Sequence, residues 1–423
     1  MKIKIKDINT FTKELSIKVE WSDLENAYNI EFKKAKSRYQ IPGFRKGKVP
    51  TNIVKKNLQP SIEAQFIENS INTYYQKALV ENKFNPINQA KIDGLDFKVG
   101  SELVFKAIFE ITPEFSLPDF SKKIKIKTTK YIAHKEDVDR SIKDLQDKYS
   151  TVKLIDGGAT SGDFINGDFH ELDSNGEPLP DRKLENQYIK LGEAAFTGDV
   201  EKKILGAKSG DSLNVKIKNQ DNVIRYKIDV KRVEEQILPQ LNDEFAKTVD
   251  PSVKTLKELE SKISDNIQSS LDIEHRRNIE ESIVEFIIKK IKLVSPDSMI
   301  DNYLNYLIED MKKNKQNVIS EEEIRKNYKD QADRAVKWHL IKTKILDENK
   351  LNVSDKDIKS KIDELKKQNP NQSKQIDDFY KDHTNSHKLS DEILNKKLFD
   401  YLIEFSSNKV TEKSSKELQK GNK

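Results

Sequence analysis

At 423 residues and 48.9 kDa the chain exceeds what one ordinary hydrophobic core supports, so two to four domains are expected. Apolar and charged residues each make up 35% of it, a balance that suits elongated helical modules with large solvated surfaces, while the regular spacing of the apolar positions argues against disorder. The absence of cysteine excludes disulfides, thiolate metal sites and cysteine nucleophiles; no apolar stretch resembles a signal sequence or a membrane span of about 20 residues, so a soluble, cytoplasmic protein with no membrane partner is expected.

The net charge of +5 is unevenly spread. Residues 1–50 hold twelve Lys and Arg against six Asp and Glu, so the basic excess is N-terminal and suits an anionic partner such as RNA. In this stretch Ile3, Ile5 and Ile8, then Leu15, Ile17 and Val19, predict a strand pair. A capping box at Ser22-x-x-Glu25 predicts a helix with one apolar stripe, Leu24, Tyr28, Phe32, Ala35 and Tyr39, that stops near Pro42. A second helical stretch restarts at Pro50 and runs, interrupted at Pro60, through Ile62, Phe66, Ile71, Tyr75 and Leu79. Strands around Leu95–Val99 and Glu102–Ile111 close a mixed domain over residues 1–117.

Pro113 and Pro118 mark an extended exit into a linker, residues 118–155, whose charged helix Lys135–Tyr149 reads as a spacer. Nine of the 14 glycines fall between Gly157 and Gly210, and none lies between Gly210 and Gly421. A turn-rich β segment over 156–235, with strands at Ser212–Ile217 and Val223–Val233, therefore adjoins a helical segment over 236–423. There Leu259, Ile263 and Ile267, then Ile279, Ile283, Ile287 and Ile291, recur every four residues, and beyond Pro239 only Pro251, Pro296 and Pro370 interrupt.

Between the first two helices, Gly43-Phe44-Arg45-Lys46-Gly47-Lys48-Val49-Pro50 sets two glycines, three cations and an aromatic in eight residues. The glycines allow backbone conformations closed to other residues, and the flanking prolines limit the exit directions. Arg45 can fork onto phosphate or carboxylate, Lys46 and Lys48 act as point charges, and Phe44 can stack or fill a small apolar pocket. Residue types alone fit equally a solvated turn with Phe44 folded onto its own domain. A nucleotide loop does not fit: three residues, not four, separate the glycines, and Val49 follows the Lys where Ser or Thr is needed.

This octapeptide, with the helix before it and Thr51-Asn52-Ile53-Val54 after it, resembles the ribosome-docking signature of the trigger factor family. The Pro86 region, the Phe105–Phe115 strand and the Leu238-Pro239-x-Leu241 junction into Asp243-Glu244-Phe245 resemble that family in the same order. The resemblance implies an α+β multidomain chain: an α/β N-terminal ribosome-docking domain, a small FKBP-like β-rich middle domain and a large all-α C-terminal domain with arms. It implies that Gly43, Phe44, Arg45, Lys46 and Lys48 meet ribosomal RNA and a ribosomal protein at the polypeptide exit tunnel. Nascent and unfolded polypeptides are the other implied partners, an off-ribosome homodimer is compatible with it, and no cofactor is implied.

Residues 156–235 resemble an FKBP-type prolyl isomerase through Asp168-Phe169, Tyr188-Ile189-x-Leu191-Gly192 and Leu205-Gly206-Ala207-Lys208-Ser209-Gly210-Asp211. Such an enzyme needs no nucleophile or metal, only an apolar pocket that favours the twisted amide and lowers a barrier of about 18–20 kcal/mol. Where the family places an aromatic after the glycine of Phe196-Thr197-Gly198, Asp199 and Val200 stand, and the Lys216–Tyr226 segment is shorter than the family's. Phe169, Tyr188, Ile189, Phe196 and Tyr226 remain as pocket lining, each equally suited to core packing. Weak or lost isomerase activity is expected, with the domain kept as a peptide-binding or spacer module.

A chaperone working without ATP needs amphipathic surface. Ile300, Tyr303, Leu304 and Leu307, and Leu398, Phe399, Leu402 and Phe405, offer it; helix packing explains the same stripes. His383-x-x-x-His387 has helical metal-ligand spacing, but no third ligand is evident and Thr384-Asn385-Ser386 is poor helix interior, so no metal is expected. A free prolyl isomerase would not require so large a helical half, and a basic RNA-binding module should cluster cations beyond one loop.

Overall fold

A computed structural model describes the chain except residues 121–123, 174, 220–221, 314–319, 416 and 418–423. Contacts divide it into two compact units, Met1–Ile126 with Ile279–Lys409, and Lys127–Asn278 with the segment from Val410 onward.

The alternating isoleucines form the predicted hairpin, β1 (Lys2–Asp7) and β2 (Thr12–Val19), followed by α1 (Trp21–Arg38) and α2 (Thr51–Asn82). β3 (Lys91–Asp96) and β4 (Leu103–Glu110) complete an antiparallel sheet of order β1-β2-β4-β3. Period-two alternation puts Leu15, Ile17 and Val19 on one face beside Leu103, Phe105, Ala107 and Phe109, all buried under Leu24 and Tyr28 of α1 and Ile62 and Phe66 of α2. Each large side chain removed from water there stabilises the fold by about 1.5–3 kcal/mol.

Three local expectations need correction. The helix begins at Trp21 with Glu20 as its cap residue, so Ser22 lies inside the first turn and forms no capping box; Glu20 is instead engaged by Lys2 at 3.1 Å. Pro60 does not interrupt α2: Pro60 and Lys56, whose carbonyl loses its helical donor, both lie on the exposed face, where water can replace the missing bond. The strand expected over Leu95–Val99 begins earlier, at Lys91, because its pairing with β4 sets the register.

β5 (Ile124–Ile132) leads to α3 (Lys135–Lys148), capped by a His134–Asp137 box. β6 (Thr151–Ile155), β7 (Phe164–Leu172), β8 (Pro178–Lys190), the short α4 (Asp199–Ile204), β9 (Ser212–Asn219) and β10 (Asn222–Ile237) follow. They form a five-stranded sheet of order β6-β10-β7-β8 with β9 on β10. The tip of the expected Lys216–Tyr226 segment, residues 220–221, lies outside the described residues. Gly167 is required where β7 meets β10: a Cβ there would stand 2.6 Å from the Asp229 carbonyl oxygen. The core collects Ile165, Phe169, Ile189, Leu191, Ile204, Val215 and Ile228. The helix α3 is more than a spacer, since Val138 and Ile142 are buried and Leu145 packs against the Phe245–Leu259 cluster.

α5 (Asp243–Val249) and the 35-residue α6 (Leu256–Lys290) open the helical part. α7 (Asp297–Lys313), α8 (Glu321–Asn327), α9 (Lys329–Glu348), α10 (Asp355–Gln368), α11 (Ser373–Tyr380) and α12 (His383–Glu404) follow. The prolines fall at breaks, with Pro251 between α5 and α6, Pro296 before α7, and Pro370 opening a 3-10 turn. The four-residue repeat buries Ile283 and Ile287 of α6, and Ile291 just beyond it, with Val336, Ile341 and Ile345 of α9 and Leu398, Phe399 and Leu402 of α12. Asp382 caps α12, so Thr384-Asn385-Ser386 is a helical first turn after all. The helices give way to one unforeseen strand, β11 (Ser406–Ser414), which pairs with β5.

Candidate functional site

The loop between α1 and α2 is built on two left-handed glycines, Gly43 at φ 88° and Gly47 at φ 73°. Phe44 N–H donates to the Ile41 carbonyl at 3.2 Å, Lys48 N–H to Arg45 at 2.9 Å, and Gly47 N–H to Tyr39 at 3.2 Å, giving two successive turns. A Cβ on Gly47 would stand 3.2 Å from the Ser37 carbonyl oxygen, so helix end and loop meet where a side chain would be crowded. Val49 is buried and anchors the exit, while Lys36 to Thr51 and Asn57 to Tyr39, both at 2.9 Å, tie the flanking helices together.

This scaffold presents what the sequence suggested. Phe44 is 40% exposed, and Gly43, Arg45, Lys46 and Lys48 are exposed. None of the three cations has a hydrogen bond or ion pair through its side chain among the described residues. Nor does Phe44 join the core cluster beneath it. Beside the loop, Ala35, Tyr39, Leu58 and Ile62 line a groove of about 330 Å³ between α1 and α2.

The five middle-domain residues do not stay together. Phe169 is buried and meets Phe196 and Tyr226 edge-on at 5.9 and 6.1 Å; with Ile189 it belongs to the domain core, against which the half-buried Phe196 and Tyr226 pack. Tyr188 neighbours Ile189 on β8 and takes the opposite face, stacking on Phe164 at 5.0 Å and donating its hydroxyl to Glu234. Tyr188 is 46% exposed, and partial desolvation, then the Glu234 carboxylate, raise its phenol to about 12. On the same face Asp168 receives Lys231 at 2.6 Å, Asn186 N–H at 2.9 Å and Lys183 at 3.1 Å, which hold its carboxyl well below the usual carboxylate range.

Of the helical candidates, Leu304, Leu398, Phe399 and Leu402 are buried, and Ile300, Tyr303, Leu307 and Phe405 are half-buried. Sequence periodicity missed the apolar groups that do face water. Tyr306 on α7 is 69% exposed, and Phe379 stands exposed beside Tyr380 on α11, a helix with no buried residue. Tyr306 lies three residues from Tyr303 and Phe379 three from Ile376, so helical spacing is present, but such spacing reads as packing and does not tell an open face from a covered one. Four lysines around an open recess of the middle domain were also missed, being divided between α4 and β9 in sequence.

The chain is similar over nearly its whole length to known proteins. The family model described as bacterial trigger factor protein (TF) matches residues 1–145, and that described as its C-terminus matches residues 255–404. The trigger factor of Chlorobaculum parvum is 28% identical over 411 residues, covering 95% of this chain and 96% of that one. That of Geotalea daltonii is 24% identical over 442 residues, covering 99% and 100%. A solved structure, described under "Promiscuous Substrate Recognition in Folding and Assembly Activities of the Trigger Factor Chaperone", shares the fold with a TM-score of 0.56 at 20% identity, over 96% of this chain and 99% of that one. Two family models in chain order on a matching multidomain fold lead to one conclusion: the chain belongs to the bacterial trigger factor family.

Proposed function

We propose that this chaperone works without ATP in the cytoplasm, docking beside the ribosomal exit tunnel through Gly43–Lys48 and holding nascent and unfolded polypeptides. The division of labour follows the segments 1–117 for docking, 118–155 as linker, 156–235 as the FKBP-like module and 236–423 for holding. The observation that carries the docking assignment is the bare tip, Phe44-Arg45-Lys46, raised on two glycine turns with its cations unpaired among the described residues. A guanidinium and two ammonium groups suit RNA phosphate, and an exposed aromatic suits an apolar notch in a protein or a base face.

Clients meet the half-buried Ile300, Tyr303, Leu307 and Phe405 and the exposed Tyr306 and Phe379, while Leu304, Phe399 and Leu402 are buried within the fold. Isomerase activity is weak or lost: Phe169 and Ile189 are spent on the core, Phe196 and Tyr226 pack half-buried against it, Tyr188 lies on the other face, and Asp199 and Val200 replace an aromatic floor. Off the ribosome the chain is able to pair with a second copy.

Co-sedimentation with ribosomes tests the docking assignment. Changing Phe44, Arg45 and Lys46 together to Ala should reduce binding at least about tenfold, the loss of charge-assisted contacts worth about 1.5–3 kcal/mol each. Equal pelleting of both proteins would sink the assignment.

A further inference from the structure

Within the middle domain, α4 and the outer face of β9 border an open recess of about 990 Å³. Lys202 and Lys203 come from α4, and Lys216 and Lys218 from β9, where the period-two alternation that buries Val215 turns both lysines outward. Asp199 neutralises only Lys202, at 3.3 Å. Lys203, Lys216 and Lys218 have no ion-pair partner among the described residues, so four ammonium groups line one recess against the single Asp199 carboxylate. Such a local excess of positive charge attracts anionic ligands.

The remaining lining is small or apolar. Ala194 and Ala195 leave the entrance open, and Val200 and Val223, the latter 54% exposed, supply a greasy wall between the cations. Such a surface fits a chain that alternates carboxylates with small apolar side chains. Nucleic acid fits less well, because the recess lacks an exposed aromatic on which a base could stack and no arginine lines it.

We infer that this recess is a binding site for acidic segments of unfolded polypeptide, with Lys203, Lys216 and Lys218 as the residues that set its selectivity. The middle domain then selects clients by charge where its aromatic residues are committed to the core. Lysines on an exposed edge strand also discourage strand-to-strand aggregation, but that role needs no second element, and here α4 adds cations to the same cavity. The recess serves clients only if the chain holds unfolded segments as proposed above, so client holding is measured alongside.

The test uses the full chain and two fluorescent decapeptides in anisotropy titrations, one alternating Glu with Ala and Val, the other Lys with Ala and Val. The acidic peptide should bind, and the triple change Lys203→Glu, Lys216→Glu, Lys218→Glu should weaken it at least about tenfold, by removing and reversing several exposed attractions. Binding should also fall between about 0.01 M and about 1 M salt, as the screening length shortens from about 30 to about 3 Å. Unchanged circular dichroism and unchanged suppression of aggregation of a neutral unfolded protein would show that the variant is folded and still a chaperone. Equal affinity of parent and variant for the acidic peptide overturns the inference, as does tighter binding of the Lys peptide by the parent. A single-stranded oligonucleotide of equal charge that binds more tightly than the peptide, and is lost in the variant, overturns it in favour of nucleic acid. If the acidic peptide binds as expected while aggregation is not suppressed by the parent, the recess stands and the chaperone assignment fails.

Discussion

The Gly43–Lys48 loop and the aromatic set of the middle domain started from similar sequence signals, an aromatic residue near glycines, and ended in opposite places. Phe44 sits on a turn whose backbone bonds are satisfied by its neighbours, and no strand or helix pulls it into a core. Phe169 sits on a central strand, where alternation assigns it to one face and that face is the interior. An aromatic on a short glycine-built loop is free to serve a partner, whereas one on a strand is claimed first by packing.

The largest effect that would break this comparison is on stability. Phe169→Ala should cost about 3–5 kcal/mol, while Phe44→Ala should cost less than about 0.5 kcal/mol and act on ribosome binding instead. Hydrogen exchange of β7 amides reads the first and ribosome pelleting the second; a destabilised Phe44 variant would mean that its ring is packing after all.

An intermediate effect concerns pH. Lys231, the Asn186 N–H and Lys183 depress the Asp168 pKa on folding, so the folded value lies below the unfolded one. The stabilisation is therefore fully present above about pH 4 and is lost as pH falls through the folded value. Asp168→Asn should lower the calorimetric midpoint of the middle domain at pH 7, and the gap to the parent should close towards pH 2. A gap that stays constant would rule out the ion network as its source.

The smallest effect sharpens the loop. Gly47→Ala keeps every charge but forces an L side chain into the left-handed region against the Ser37 carbonyl oxygen, a cost of about 1–2 kcal/mol. Ribosome affinity should fall while bulk helicity stays unchanged; undiminished affinity would show that docking tolerates a rearranged loop.

Much of this was legible beforehand because periodicity reports burial directly. The β1–β2 hairpin, the stripe of α1, the isoleucine repeat of α6 and the glycine-rich β region all follow from which residues must leave water. The loop was legible for the opposite reason: its glycines and cations serve no core. Less visible were features fixed by partners distant in sequence. Whether Pro60 ends a helix depended on which face of α2 meets the core. Tyr188 and Ile189, adjacent and both apolar in character, separated because β7 and Glu234 decide which face is interior.

Composition and pattern by themselves determined a multidomain chain, a cationic loop between two helices and a β-rich middle followed by helices. Tertiary structure decided the rest: that β11 becomes a strand because β5 offers it an edge, that most of the isomerase-like aromatics pack in or against the core, and that four lysines from α4 and β9 share one recess. Local pattern fixes what each segment buries, but only the packed fold fixes which distant segments meet, and charge selectivity depends on that meeting.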